Sequence, residues 1–150
     1  MHVVIATGIY PPEIGGPAYY AWGLEKAFRS LGHDPIVVSY GGLRRLPIGV
    51  SHALYFTRLF PRLFGAHAVI ALDTASVAIP AALACSLTGT RFIVRTGGDF
   101  VWEHYLDRTG DMLPLARFYS EHKLLSFKER LNIVLTRWAL SRAIVVFSTR

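Results

Sequence analysis

With 150 residues, 52% of them hydrophobic, the chain has the length of one domain and enough apolar material to bury a core, which excludes a disordered segment. A single cysteine, Cys85, allows no internal disulfide, and the six histidines show no Cys-x-x-Cys or His-Glu-x-x-His spacing, so no metal site is expected. The net charge of +6 comes without a long basic run, Arg44-Arg45 being the longest, which argues against nucleic-acid binding.

In chain order, the apolar run Val3-Val4-Ile5-Ala6 reads as a buried strand, followed by a loop rich in glycine and proline over 7–17 and a helix over 18–31. Gly32 suits the left-handed stop after that helix, and 35–40 reads as a second strand. Residues 41–52, with Gly41-Gly42, Pro47 and Gly49, show no regular period and are expected to form a mobile loop. Residues 53–56 predict a short strand, 58–64 a short helix started or broken by Pro61, and 68–72 a strand buried on both faces. Asp73 or Thr74 can cap a helix that begins near Ser76, keeps Pro80 in its early turns and stops at Gly89.

Phe92-Ile93-Val94 is the next strand, and residues 96–111 a loop with a possible short helix over 100–106. Pro114 starts a helix to about 124. Ser126-Phe127-Lys128-Glu129 matches a capping box for a last helix to about 141, and 143–147 reads as the final strand. Glycine stops at 32, 65 and 89, each followed by an apolar strand, predict a Rossmann-like, doubly wound parallel sheet with helices on both faces. The abrupt end after a strand reads as that of a fragment. Ligands of such sheets bind beyond the carboxyl ends of the strands, so the loops at 7–17, 40–51, 73–75 and 95–103 are the places to look for a site.

In the first of these, Gly15 and Gly16 let the backbone turn under a ligand, and a helix N-terminus offers unpaired N–H groups to a phosphate. Pro17 fits the first helical position. The loop lacks both G-x-G-x-x-G and the Lys-Ser/Thr of a P-loop. Tyr10, Glu13, Tyr19 and Tyr20 flank it. The aromatic rings can stack on a saccharide or lipid-linked acceptor, or simply pack on the sheet. Asp99, raised on Gly97-Gly98, can accept hydrogen bonds from sugar hydroxyls, with Trp102 as an apolar face and Glu103 beside it. The alternative is a helix-capping Asp followed by a core Trp. Asp73, at another strand end, is a candidate acceptor contact, although capping also accounts for it.

The ordered motifs Thr-Gly-x-Tyr-Pro-Pro-x-x-Gly-Gly-Pro at 7–17, Asp73-Thr74-Ala75 and Gly97-Gly98-Asp99-Phe100-Val101-Trp102-Glu103 together resemble the N-terminal half of family-4 glycosyltransferases. That resemblance implies the N-terminal, acceptor-side domain of a two-domain GT-B enzyme. Such an enzyme transfers a sugar from a nucleotide-sugar donor to a saccharide or lipid-linked acceptor, with retention and with no obligatory metal or cofactor. It supports Gly15 and Gly16 as donor-phosphate contacts. From their own chemistry and position, Asp99 is the catalytic candidate and Tyr10, Glu13, Tyr19, Asp73, Trp102 and Glu103 are the candidate acceptor contacts. Many such enzymes carry an active-site histidine near 97–98. This chain has glycine there, and the role does not pass to His104. The C-terminal donor domain is absent from these 150 residues, so little activity is expected of them alone.

Residues 41–67 carry Arg44, Arg45, Arg58 and Arg62 with no acid, interleaved with aromatic residues. Such a face can lie on an anionic membrane or be an ordinary solvated helix face. With one cysteine and no basic, apolar leader ahead of the first strand, the expected location is cytoplasmic, at or near the inner face of the membrane. Two further readings stand beside the enzyme: a non-catalytic binding subunit of a split glycosyltransferase and, less favoured by the loop, a nucleotide-binding oxidoreductase module.

Overall fold

A computed structural model of the chain describes residues 1–111, 113–120 and 125–148. Five strands, β1 (His2–Thr7), β2 (Asp34–Ser39), β3 (Ala68–Ala71), β4 (Arg91–Thr96) and β5 (Val145–Ser148), form one sheet in the order β2-β1-β3-β4-β5. Every pairing is parallel, with Val4 opposite both Ile36 and Val69. The expected doubly wound α/β architecture is therefore the one observed.

Among the described residues, six α-helices connect the strands: α1 (Gly16–Ser30), α2 (Ile48–Leu59), α3 (Ala78–Thr88), α4 (Phe100–Thr109), α5 (Leu115–Phe118) and α6 (Phe127–Arg142). Side chains alternate across each strand, so β1 sends Val4 and Ala6 to one face and Val3 and Ile5 to the other. The first face packs under α2, α3 and α6 around Tyr55, Leu59, Val77, Phe92 and Ala139. The second packs under α1 around Ala21, Ile70 and Leu72. Cys85 is buried in the first core, where burial pushes its thiol up to about 12, in keeping with a small apolar role. A third, smaller cluster of Val101, Tyr105, Leu113 and Phe118 holds α4 and α5 together.

The segment after β2 departs from the sequence expectation. Residues expected to be a mobile loop form a 3-10 turn over Gly41–Arg45 and the start of α2, and the strand expected at 53–56 lies inside that helix. The physical reason is a buried stripe at a spacing of four, Ser51, Tyr55, Leu59 and Leu63, which a four-residue apolar window cannot distinguish from a strand. Tyr55 anchors the helix to β2 by donating its hydroxyl to the Val38 carbonyl at 2.8 Å.

Other boundaries moved less. Helix α4 runs on to Thr109 and is stopped by Gly110. Helix α3 begins at Ala78, so Pro80 sits in its first turn, where its missing N–H costs nothing. The capping box at Ser126 and Glu129 is present. The helix expected from Pro114 covers Leu115–Phe118, and its expected continuation over 121–124 lies outside the described residues. Among the described residues, no helix is long and apolar enough to cross a membrane.

Candidate functional site

Strand order reverses between β1 and β3, so the loops after these two strands border the crevice where doubly wound sheets take ligands. Gly8 lies at its bottom. A Cβ on Gly8 would stand 2.9 Å from Asp73 Oδ2 and 3.3 Å from a guanidinium nitrogen of Arg44, so a side chain there would displace both. Arg44, expected on a membrane-facing surface with Arg45, instead turns its head over this crevice. Asp73 is fully engaged in the loop ahead of α3, and the expected cap by Asp73 or Thr74 is not formed, because the helix begins only at Ala78 after Val77 and carries no side-chain cap. The amides of Ala75 and Val77 donate to its Oδ1 at 3.0 Å each, and the Ser76 hydroxyl donates to its Oδ2 at 2.6 Å.

The glycine loop rises beside this point and contains a cis Pro11–Pro12 bond. Helix α1 starts at Gly16 with no side-chain cap and no acidic residue in its first turn. Pro17 brings no N–H, and the Ala18 and Tyr19 amides already donate to the Gly15 carbonyl at 3.0 and 3.1 Å, which leaves the open end of the helix at the Gly16 amide. Glu13 folds across Gly41, its carboxylate 2.8 Å from where a Cβ would sit, which ties the loop to the end of β2. Ser39 Oγ is buried beside it without a hydrogen-bond partner among the described residues. Tyr19 is exposed on α1, whereas Tyr10 packs inward and donates its hydroxyl to Glu25. Burial, and then that bond, push the Tyr10 phenol up to about 12. Tyr20 carries the Arg95 guanidinium over its ring at 4.1 Å, which places a cation near the end of β4.

The second wall of the site is built from the end of β4. Asp99 caps α4: its Oδ1 accepts from the Trp102 amide at 2.9 Å and its Oδ2 from the Tyr119 hydroxyl at 2.6 Å. Burial and then the bond to Asp99 raise the Tyr119 phenol well above its ordinary value, so Tyr119 remains a proton donor at neutral pH. Glu103 folds back over Gly98, where a Cβ would collide with its carboxylate. Trp102 is turned to a structural use, its indole N–H donating to the Leu113 carbonyl at 2.8 Å. Behind Asp99 opens a cavity of about 340 Å³. Its polar lining includes Thr74, Thr96, Thr136, Tyr119 and Arg137, and its apolar wall Ile133, Leu140 and Val146.

A charged clamp holds this wall in place. Arg108 on α4 donates through Nε and a terminal nitrogen to the two oxygens of Glu129 on α6, both at 3.0 Å, and His104 Nδ1 lies 3.6 Å away. Burial alone would raise the Glu129 carboxyl. The Arg108 hydrogen bonds and the Ser126 capping bonds outweigh it and bring the pKa down to about 2.

The sequence-named residues thus divide. Gly15, Gly16, Glu13, Asp73, Asp99 and Glu103 all lie on the carboxyl rim of the sheet, as expected of their loops, whereas Tyr10 and Trp102 act chiefly in packing. Arg45, Arg58 and Arg62 lie exposed, on the first 3-10 turn, on α2 and on a second 3-10 turn, Phe60–Leu63, that follows it. Tyr119, Arg137 and the pairing of Arg108 with Glu129 were not singled out from the sequence, since Tyr119 is 20 residues from Asp99 and Arg108 is 21 residues from Glu129. Among the described residues, no group of three or more His, Cys, Asp or Glu is placed to hold a metal ion.

Fold and site together define an α/β protein with a doubly wound parallel sheet and, at its carboxyl rim, a helix start without a side-chain cap. No protein-family model and no curated protein matches the sequence. Among solved structures, the chain is similar to a dimeric lac repressor carrying an 11-residue C-terminal deletion, at 16% identity and a TM-score of 0.43. The match covers 99% of this chain and 57% of that one. A likeness of that degree carries no argument about function.

Proposed function

We propose that the chain is the acceptor-side, N-terminal domain of a retaining GT-B glycosyltransferase that uses a nucleotide-sugar donor and a saccharide or lipid-linked acceptor. The observation that carries this reading is the uncapped α1 N-terminus at Gly15-Gly16, on the same carboxyl rim as the Asp99 wall. A diphosphate against the α1 amides would be neutralised by the helix end and by Arg44 and Arg95 on that rim. Asp99, already held by two donors, would fix the hydroxyls of a sugar rather than exchange protons. The motif order at 7–17, 73–75 and 97–103 supports the same class.

In this reading the donor-binding half lies outside the 150 residues, in the same polypeptide or in a separate one. The half-exposed apolar side chains of Val145, Val146 and Phe147 favour a neighbour in either arrangement. Residues 1–150 are expected to hydrolyse or transfer sugar from nucleotide sugars at no more than background rate. Robust turnover by this chain alone, followed as nucleoside diphosphate release, would overturn the assignment.

The finer location belongs to this proposal too. Leu46, Ile48, Val50, Leu54 and Phe64 are exposed along α2 and its flanks, together with Arg45, Arg58 and Arg62, and no acid occurs between Asp34 and Asp73. This face fits the anionic inner surface of a membrane. Sedimentation with anionic liposomes is expected to fall about tenfold in the Arg58→Glu, Arg62→Glu double variant. Unchanged sedimentation would remove these residues as contacts.

A further inference from the structure

The cavity behind Asp99 has a chemistry more specific than that of a general sugar site. Its hydroxyl groups, on Thr74, Thr96, Thr136 and Tyr119, suit the donors and acceptors of a sugar ring, and its apolar wall suits the C–H face of that ring. At about 340 Å³ it is at the small end of ligand pockets and matches one sugar unit better than a chain of them. One component is unexpected for a neutral sugar. Arg137, on α6, lines the cavity and makes no hydrogen bond or ion pair with any described residue.

Two other cations of α4 and α6 are engaged. Arg108 is bound to Glu129, and Arg142 lies over the Trp138 ring at 5.8 Å. Among the described residues, the one carboxylate lining the cavity is Asp99, which already accepts two hydrogen bonds, from the Trp102 amide and the Tyr119 hydroxyl. Its charge is offset there by the N-terminal end of α4. Arg137 is thus the lining group left to pair with a charge brought by the ligand. Its guanidinium presents a planar fork of N–H donors that matches a carboxylate or a phosphate with two parallel bonds.

We propose that this cavity selects an anionic sugar unit, a uronic acid or a sugar phosphate, with Arg137 pairing with its charge and the threonine and Tyr119 hydroxyls holding its ring. This rests on the glycosyltransferase reading for the identity of the cavity as the acceptor side. It adds the substrate class. The ligand's anionic group lies against α6, and its hydroxyls face Asp99 and Thr96.

The test is a titration of the full 150-residue chain, followed by amide chemical shifts, with methyl glucoside, methyl glucuronide, glucose 6-phosphate and inorganic phosphate. At least one anionic sugar is expected to bind about tenfold more tightly than the neutral glycoside, with shifts at Thr96, Thr136 and Arg137. The comparison of glucuronide with glucose 6-phosphate identifies which anion is preferred, and inorganic phosphate should bind more weakly than the favoured sugar. Arg137 is exposed, makes no hydrogen bond or ion pair with a described residue and has the Tyr119 phenol as a charge neighbour, so Arg137→Gln should fold normally and bring anionic and neutral sugars to within about twofold of each other. Thr136→Val should weaken both alike. Equal affinity for neutral and anionic sugars, an unchanged preference in Arg137→Gln, or shifts absent from the cavity would overturn the proposal. A parallel titration with a nucleotide sugar, read at Gly15 and Gly16, separates the two claims. If those shifts persist while anionic selectivity fails, the glycosyltransferase reading stands and the cavity assignment falls.

Discussion

The two walls of the site are held by different kinds of force. The crevice beside β1 stands on the main core, where Val4, Ile5, Leu59 and Val69 are fully buried and the sheet is continuous from β2 to β4. The Asp99 wall stands on α4 and α5, whose own core has four buried side chains. Trp102 to Leu113 and Tyr119 to Asp99 close it within itself, and it is tied to α6 by the Arg108–Glu129 pair and by Ile133 packed on its small core. The glycine loop therefore rests on a rigid platform, while the Asp99 wall can be displaced without unfolding the sheet.

That contrast can be broken most forcefully from the apolar side. Leu59→Ala removes a fully buried side chain from the main core and should lower global stability by ~2–5 kcal/mol in urea denaturation. Hydrogen exchange should then quicken throughout β1, β3 and β4. Phe118→Ala is expected to act locally, quickening exchange over 99–120 while β1 and β3 keep their protection. Equal loosening of both regions would show that the α4–α5 unit does not open separately.

A smaller effect is expected at the clamp, where its pH dependence sharpens the comparison. Glu129 has its carboxyl pKa lowered to about 2, below its ordinary 4.5, so it binds protons more weakly in the folded chain. Its contribution is complete above the unfolded value and is lost as pH falls through about 4 towards 2. Glu129→Gln should cost about 2 kcal/mol at pH 7, less than breaking a fully buried pair because Arg108 is partly exposed. The variant should also flatten the acid limb of the stability curve between pH 5 and about 2. An acid limb identical to that of the parent would remove the clamp as its source.

The sheet was legible because its signals are local. Apolar runs at 3–6, 68–72 and 92–94, with glycine stops at 32, 65 and 89, each specify an element without help from distant residues. The three stops do adopt positive φ, as that reading requires. Residues 41–56 misled because Gly41-Gly42 and Pro47 look like a loop, whereas the buried spacing from Ser51 to Leu63 decides the helix only over three turns. At the site, the rim positions of Gly15, Gly16, Asp73 and Asp99 followed from their places after strands. Side-chain direction did not: Trp102 turns to a carbonyl 11 residues away and Asp99 takes a partner 20 residues on. Arg44 over Gly8 is likewise a tertiary event, unreadable from the run Arg44-Arg45.

The central claim is that the helix end at Gly15-Gly16 receives the diphosphate of a nucleotide sugar. Its most direct test is the titration of isotopically labelled protein with uridine diphosphate glucose, guanosine diphosphate mannose and NAD, read at individual amides. The account predicts weak, saturable shifts at Gly15, Gly16 and 97–99 with at least one nucleotide sugar and no comparable response to NAD. Shifts with NAD at these amides, or none there with either nucleotide sugar, would contradict it.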